Sequence, residues 1–302
     1  MPESGVKKNP YSVFKIPEFT HFIIGRCLYI MGIRMTGTVI GWWIYLLTNS
    51  KLALGFVGLS EVIPALSLAL YAGHHIDVNE KRKLLLRCIL AYTVCIFLLI
   101  ILSTNYSHNT LNQWTIAALI CTVIGLTGAI RAFSGPTFSA LISQIVPKED
   151  LPSAASISSA TWLIASIFGH ASAGFLIAFI GINNSFFVVL FLVAGGYFFL
   201  SKLSVKPVFV TVKSKTWQSV KEGLSYVFKT KEILGALSLD LFAVLFGGAV
   251  ALVPVFAKDI LNIGPIGFGW LNAATDIGSI MTVTFLTIRP LRSNQGRIFF
   301  YA

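Results

Sequence analysis

Residues 54–102 read LGFVGLSEVIPALSLALY, AGHHIDVNEKRK and LLLRCILAYTVCIFLLIIL, two apolar runs joined by a polar turn. About 20 apolar residues carry a helix across the hydrocarbon core of a bilayer, and each run is close to that length. The turn holds Lys81, Arg82 and Lys83, with Arg87 just after it. Two spans that meet at a basic turn read as an antiparallel pair with the turn in the cytoplasm, because short lysine- and arginine-rich loops stay on that side.

The same alternation continues in both directions. Apolar stretches of spanning length occupy residues 22–47, 54–71, 84–102, 114–133, 154–180, 185–203, 233–256 and 267–288. Lys7, Lys8 and Lys15 precede the first, and Lys148 follows the fourth. Seven lysines between Lys202 and Lys231 follow the sixth, and Arg289, Arg292 and Arg297 follow the eighth. The intervening loops hold only Lys51 and Lys258. The expectation is an all-α polytopic membrane protein in the cell (inner) membrane, with its N-terminus in the cytoplasm and anionic lipid headgroups against its basic loops.

Composition agrees. A mean hydropathy of +0.79, with 55% hydrophobic and 12% charged residues, excludes an ordinary soluble domain, whose charged fraction is roughly 25%. The net charge of +11 sits at span exits, where topology and lipid account for it, so nucleic acid is not an expected partner. Cys27, Cys88, Cys95 and Cys121 fall in or beside apolar runs without a C-x-x-C pair and read as small hydrophobes. No metal site or cofactor is expected. The sequence holds no H-E-x-x-H, G-x-S-x-G or G-x-x-x-x-G-K-[ST] pattern, so the chain does not read as an enzyme. The first twenty residues lack the continuous apolar core and cleavage site of a removable signal peptide.

A long polar stretch divides the chain. Residues 1–203 are expected to form an N-terminal six-helix bundle, and residues 204–232 a cytoplasmic linker. In that linker Trp217, Val220, Leu224, Val227 and Phe228 recur at helical spacing among lysines, the pattern of an amphipathic helix on a leaflet. Residues 233–302 then read as a partial second bundle of spans seven, eight and the start of nine, the chain stopping mid-element.

The turn at Gly73-His74-His75-Ile76-Asp77-Val78-Asn79-Glu80-Lys81-Arg82-Lys83 resembles the signature loop of the major facilitator superfamily. That loop has a glycine, an acid four residues on, and a basic pair, matched here by Gly73, Asp77, Arg82 and Lys83. It departs at Val78, where the family usually carries a basic residue, and at Glu80, where a second glycine is usual. Arg131-Ala132-Phe133-Ser134-Gly135-Pro136 resembles the family's fourth-span arginine with a glycine four residues later. The cadence of residues 46–64, Val146-Pro147 and Phe246-Gly247-Gly248-Ala249 is similar to the multidrug and siderophore exporter branch. Gly169-His170-Ala171-Ser172-Ala173-Gly174 stands where antiporters of the family carry G-P-x-x-G-G, with His170 in place of the proline. The resemblance implies a twelve-helix bundle in two halves, of which about eight helices and a fragment are present. It also implies a conformational latch at Gly73, Asp77, Arg82, Lys83, Arg131 and Gly135.

Ionisable residues inside spans are the functional candidates, since each costs about 2.5–3.5 kcal/mol at a helix centre on insertion scales. Arg34, Glu61, His170, Asp240 and Asp276 are assigned to a substrate or proton pathway. Arg34 reads either as a cavity residue or as the ion-pair partner of Glu61. Arg26 and Asp240 lie nearer the span ends and read as snorkelling or capping groups as readily as functional ones. His170 either titrates or satisfies a neighbouring helix. Trp42 and Trp43, near the end of the first span, read as interfacial anchors. The resemblance points to a secondary transporter that exports a small organic compound in exchange for protons by alternating access. The rival reading is a non-transporting truncated product or a scaffold completed by a partner.

Overall fold

Without water in a bilayer core, each backbone N–H and C=O has to be satisfied within the chain, and a continuous apolar run satisfies them as a helix. The computed structural model of the protein describes residues 10–206, 221, 225–231, 233–235, 237–239 and 248–288. These residues form helices and no strands. After a 3-10 turn at Pro10–Lys15 come α1 (Pro17–Thr48), α2 (Lys51–Val78), α3 (Lys81–Leu102), a short α4 (Asn105–Thr110), α5 (Gln113–Ile145) and α6 (Leu151–Ser201). Three short helical pieces, Gly248–Leu252, Val253–Val255 and Phe256–Ile260, lead to α7 (Gly264–Ile288).

Helix ends fall where the sequence supplies caps. Pro17 opens α1 at a position where its missing N–H costs nothing. Asn49 closes it in the left-handed region (φ 50°), with its N–H donating to the Tyr45 carbonyl at 3.0 Å. The Ser50 side chain then accepts from the Ala53 N–H at 3.3 Å and opens α2. Among the described residues five stretches are long and apolar enough to cross a membrane: Pro17–Thr48, Lys51–Ala69, Lys81–Leu102, Gln113–Ile145 and Lys148–Ser201. The last contains two limbs. At Gly181 the backbone takes φ 79° and ψ 174°, accessible to glycine because it has no Cβ. Gly169 on the first limb approaches Met31 and Arg34, while Gly32 approaches Val189 and Val193 on the second. The two limbs therefore lie side by side against α1.

That arrangement makes α1 the centre of the packing. It lies against both limbs of α6, while α2 pairs with α5, α3 with α5 and α6, and α7 with α6. Phe19, Phe22, Tyr29, Met35, Ile40 and Ile44 of α1 are fully buried, as are Leu85, Ile89, Tyr92, Ile96 and Leu99 of α3 and Phe186 of α6. Tyr29 and Tyr92 meet edge to face at 5.6 Å. Lipid tails are as apolar as these side chains, so close packing rather than water expulsion selects the contacts. The α6–α7 crossing illustrates this: a Cβ on Gly174 would stand 3.1 Å from the Gly269 Cα. Leu52, Phe56, Leu59, Ile63 and Leu66 of α2 face outward, as suits contact with lipid chains.

One expectation changes. Trp42 and Trp43 are not interfacial; both are buried, Trp42 stacked on Phe268 of α7 and Trp43 edge-on to Phe186 of α6. The C-terminal end of α1 is covered by both neighbours, which removes these two rings from a lipid interface. Among the described residues no heavy atom lies within 4 Å of where a Gly73 Cβ would be. Of the linker stripe, Trp217, Val220 and Leu224 lie outside the described residues, as does the expected start of a ninth span. Val227 and Phe228 sit in a helical stretch at 225–229, with Phe228 largely exposed.

Candidate functional site

Two adjoining cavities open between the helices, with volumes of about 950 Å³ and about 260 Å³. Both are lined by Ile33, Arg34, Glu61, Arg131 and Val250. The larger extends toward the N-terminal end of α1, past Arg26, Tyr29, Phe138 and Trp162. The smaller extends toward the other end of α1, past Gly37, Gly41, His170, Pro254 and Asn272. Arg34, Glu61 and Arg131 thus mark the level where the two meet, about halfway along α1, α2 and α5.

Glu61 and Arg131 form an ion pair across the α2–α5 contact, the guanidinium donating to the carboxylate. Arg34 is not the partner of Glu61. Its guanidinium lies over the Trp162 ring at 4.5 Å to the centroid, and it interacts electrostatically with Arg131, Asp276 and Glu61. The physical reason is register: Gly128 lets α5 lie directly on the Glu61 backbone. That contact brings Arg131, one helical turn further on, against the Glu61 carboxylate. Arg131 and Gly135, grouped with the cytoplasmic turn by resemblance, line the cavity instead. Arg26 neither snorkels nor caps; it lines the larger cavity with its guanidinium 5.4 Å from the Phe138 centroid.

A second polar cluster joins α1, α6 and α7. Asp276 accepts a hydrogen bond from Ser166 Oγ at 2.6 Å, and the same oxygen stands 3.8 Å from His170 Nε2. On the other side of the ring, His170 Nδ1 lies 2.6 Å from Thr38 Oγ1. The Thr38 hydroxyl has one proton and two acceptors in reach, the Arg34 carbonyl at 3.1 Å and Nδ1. Donated to Nδ1, it leaves Nε2–H facing the Asp276 carboxylate, and a second ring proton makes that contact an ion pair.

The remaining candidates sit at the two ends. In the first turn of α3, Arg82 donates to the Ser201 carbonyl at 2.5 Å and Lys83 pairs with Glu80, the residue before the helix, at 2.9 Å. Asp77, at the end of α2, is exposed. Nearby, Glu18 at the start of α1 accepts from Lys206 and from the Ser204 N–H, both at 2.8 Å. At the opposite end Tyr45 donates to Asp259, while Lys258 donates to Asn49 at 2.9 Å and lies 5.1 Å from the Tyr45 ring centroid. Asp240 lies outside the described residues. Thr38, Trp162, Ser166 and the Tyr45–Asp259 contact escaped the sequence reading. Thr38 alone had a local signal, its position one turn after Arg34.

Comparison with known proteins agrees with this architecture. Residues 8–301 match the family model described as transmembrane secretion effector. The chain is 22% identical over 269 residues to the uncharacterized MFS-type transporter YfmI of Bacillus subtilis (strain 168), covering 83% of this chain and 62% of that protein. The chain thus spans 62% of the length of that relative.

Proposed function

Since the chain belongs to the transmembrane secretion effector family of major facilitator proteins, we propose that it is a secondary active transporter that exports a small organic compound against proton entry. The observation that carries this reading is the placement of charge. Arg34, Glu61, Arg131 and His170 come from four helices and line one cavity at mid-span depth, with Asp276 of a fifth helix beside His170. Ionisable groups held there at an insertion cost mark pathways. In this reading the cavity takes the substrate, and residues 1–203 and 233–302 belong to the two halves that rock about it. Gly73, Asp77, Arg82 and Lys83 act at the cytoplasmic end, where Arg82 ties the turn to the end of α6. The membrane is the cell inner membrane, with the N-terminus inside.

The proton is carried by the Asp276–His170 pair. When it is present, the pair attracts and draws α7 onto α6 across the Gly174–Gly269 crossing. When it leaves, that attraction weakens and the crossing loosens. Protonation thereby biases the contact that any relative motion of the halves has to pass through, and differential stability of two states is what coupling requires.

The larger volume on the N-terminal side and the Tyr45–Asp259 clasp at the other end correspond to a state open toward the cytoplasm. Tyr45→Phe removes a hydrogen bond to a charged group. A cysteine at Gly41 should then react about tenfold faster with a membrane-impermeant thiol reagent added outside. An unchanged rate would exclude the clasp as a gate. The function itself is tested in proteoliposomes with the voltage clamped. A pH gradient should drive compounds from a chemical library across the membrane, and a protonophore should stop them. Failure of any compound to move would contradict the reading.

A further inference from the structure

Among the described residues the larger cavity is lined by more positive than negative charge: three guanidiniums, of Arg26, Arg34 and Arg131, and one carboxylate, that of Glu61, with Asp276 acting on Arg34 from outside the lining. Glu61 is taken up by Arg131. Among the described residues neither Arg26 nor Arg34 has a carboxylate within ion-pair distance; each instead lies over an aromatic face, Phe138 and Trp162 respectively. The Arg26 Nε is buried with no hydrogen-bond partner. A ring quadrupole attracts a cation but supplies no net negative charge, and intramembrane cations lining a cavity mark what passes through it.

Building on the transporter reading, we propose that the substrate is an organic anion: a carboxylate, sulfonate or phosphate group on an apolar, preferably aromatic body. A guanidinium offers a planar fork that matches such an oxyanion with two parallel hydrogen bonds. The neighbouring Tyr29, Phe138 and Trp162 rings receive the apolar body. The volume of about 950 Å³ lies within the range of roughly 300–1,000 Å³ typical of small-molecule sites. Arg26 and Arg34 are two turns apart on α1, separated by about 12 Å along the axis at 1.5 Å per residue. An anion entering from the N-terminal side meets Arg26 first. It then passes to Arg34, at the level of the Glu61–Arg131 pair.

The test uses three probes of equal size and different charge: naphthalene-2-carboxylate, naphthalene-2-carboxamide and naphthalen-2-ylmethylammonium. Their binding to the purified full chain in lipid nanodiscs is measured by equilibrium dialysis against empty nanodiscs. The carboxylate should bind about tenfold more tightly than the amide, the worth of a charge-assisted contact, and the ammonium should bind least. Arg34→Gln should lower carboxylate affinity about tenfold, and Arg34→Lys should keep the preference for the anion. Glu61→Gln frees Arg131 and should raise carboxylate affinity, a gain that misfolding does not produce. The proposal is overturned if the carboxylate fails to bind, if the amide or ammonium binds as tightly, or if both variants shift all three probes alike. Proteoliposome uptake separates the two claims. Movement of the ammonium or amide but not the carboxylate would sink the anion proposal and leave transport standing. Charge-selective binding without movement of any probe would sink transport and leave the binding preference.

Discussion

Asp276→Asn is expected to abolish gradient-driven accumulation while leaving downhill exchange of the same compound intact. With the voltage clamped, one exchanged proton per substrate supports about tenfold accumulation per pH unit, because 1.36 kcal/mol is a factor of ten. The asparagine keeps the size of Asp276 and can still accept from Ser166 Oγ, the 2.6 Å contact that holds the side chain in place. What it loses is the capacity to share a proton with His170 across the 3.8 Å gap. Steady-state accumulation in proteoliposomes should therefore fall to a ratio of one, with the rate of substrate exchange retained. Accumulation that persists at its original value would remove Asp276 from the coupling path.

Gly128→Val is expected to produce the largest structural effect of any single glycine replacement between α2 and α5. A Cβ at this position would lie 3.1 Å from the Glu61 Cα and closer still to its carbonyl group. Those atoms are backbone, so no rotamer change relieves the overlap and α2 has to move. Overpacking of this kind costs about 1–3 kcal/mol. The displacement also carries Glu61 away from Arg131, so the variant should lose both thermal stability and transport. Gly135→Ala is the internal control: nothing lies within 4 Å of its Cβ position, and its effect should stay within about 0.5 kcal/mol. Equal melting points for the two variants would show that the α2–α5 contact is not as close as described.

The spans were legible because hydropathy is a one-dimensional signal: a run of apolar residues has one stable form in lipid. The helix reversal at Gly181 was legible as a gap between two runs, although the chain remains helical on both sides of the glycine. Charges inside spans were legible as candidates because a cost of a few kcal/mol has to be offset by something. Their pairing was not. Whether Glu61 meets Arg34 or Arg131 depends on how α5 rotates against α2, and that is set by the single missing side chain of Gly128. Trp162 and Ser166 join the site only because the first limb of α6 crosses α1 at Gly169 and α7 at Gly174. Trp42 and Trp43 were misread for the same reason: end-of-span tryptophans suit an interface unless neighbouring helices cover them.

The most direct test of alternating access is the reactivity of a single cysteine at Gly37, with Cys27, Cys88, Cys95 and Cys121 replaced by alanine. Gly37 lines the smaller cavity at mid-span depth, and no atom lies within 4 Å of its Cβ position, so the thiol fits without displacing a neighbour. Oriented vesicles would be treated with a membrane-impermeant maleimide from one face and then the other. The account predicts labelling from both faces, with access from the two sides shifting in opposite directions as pH is lowered on one side. Labelling from one face only, at every pH, would contradict it.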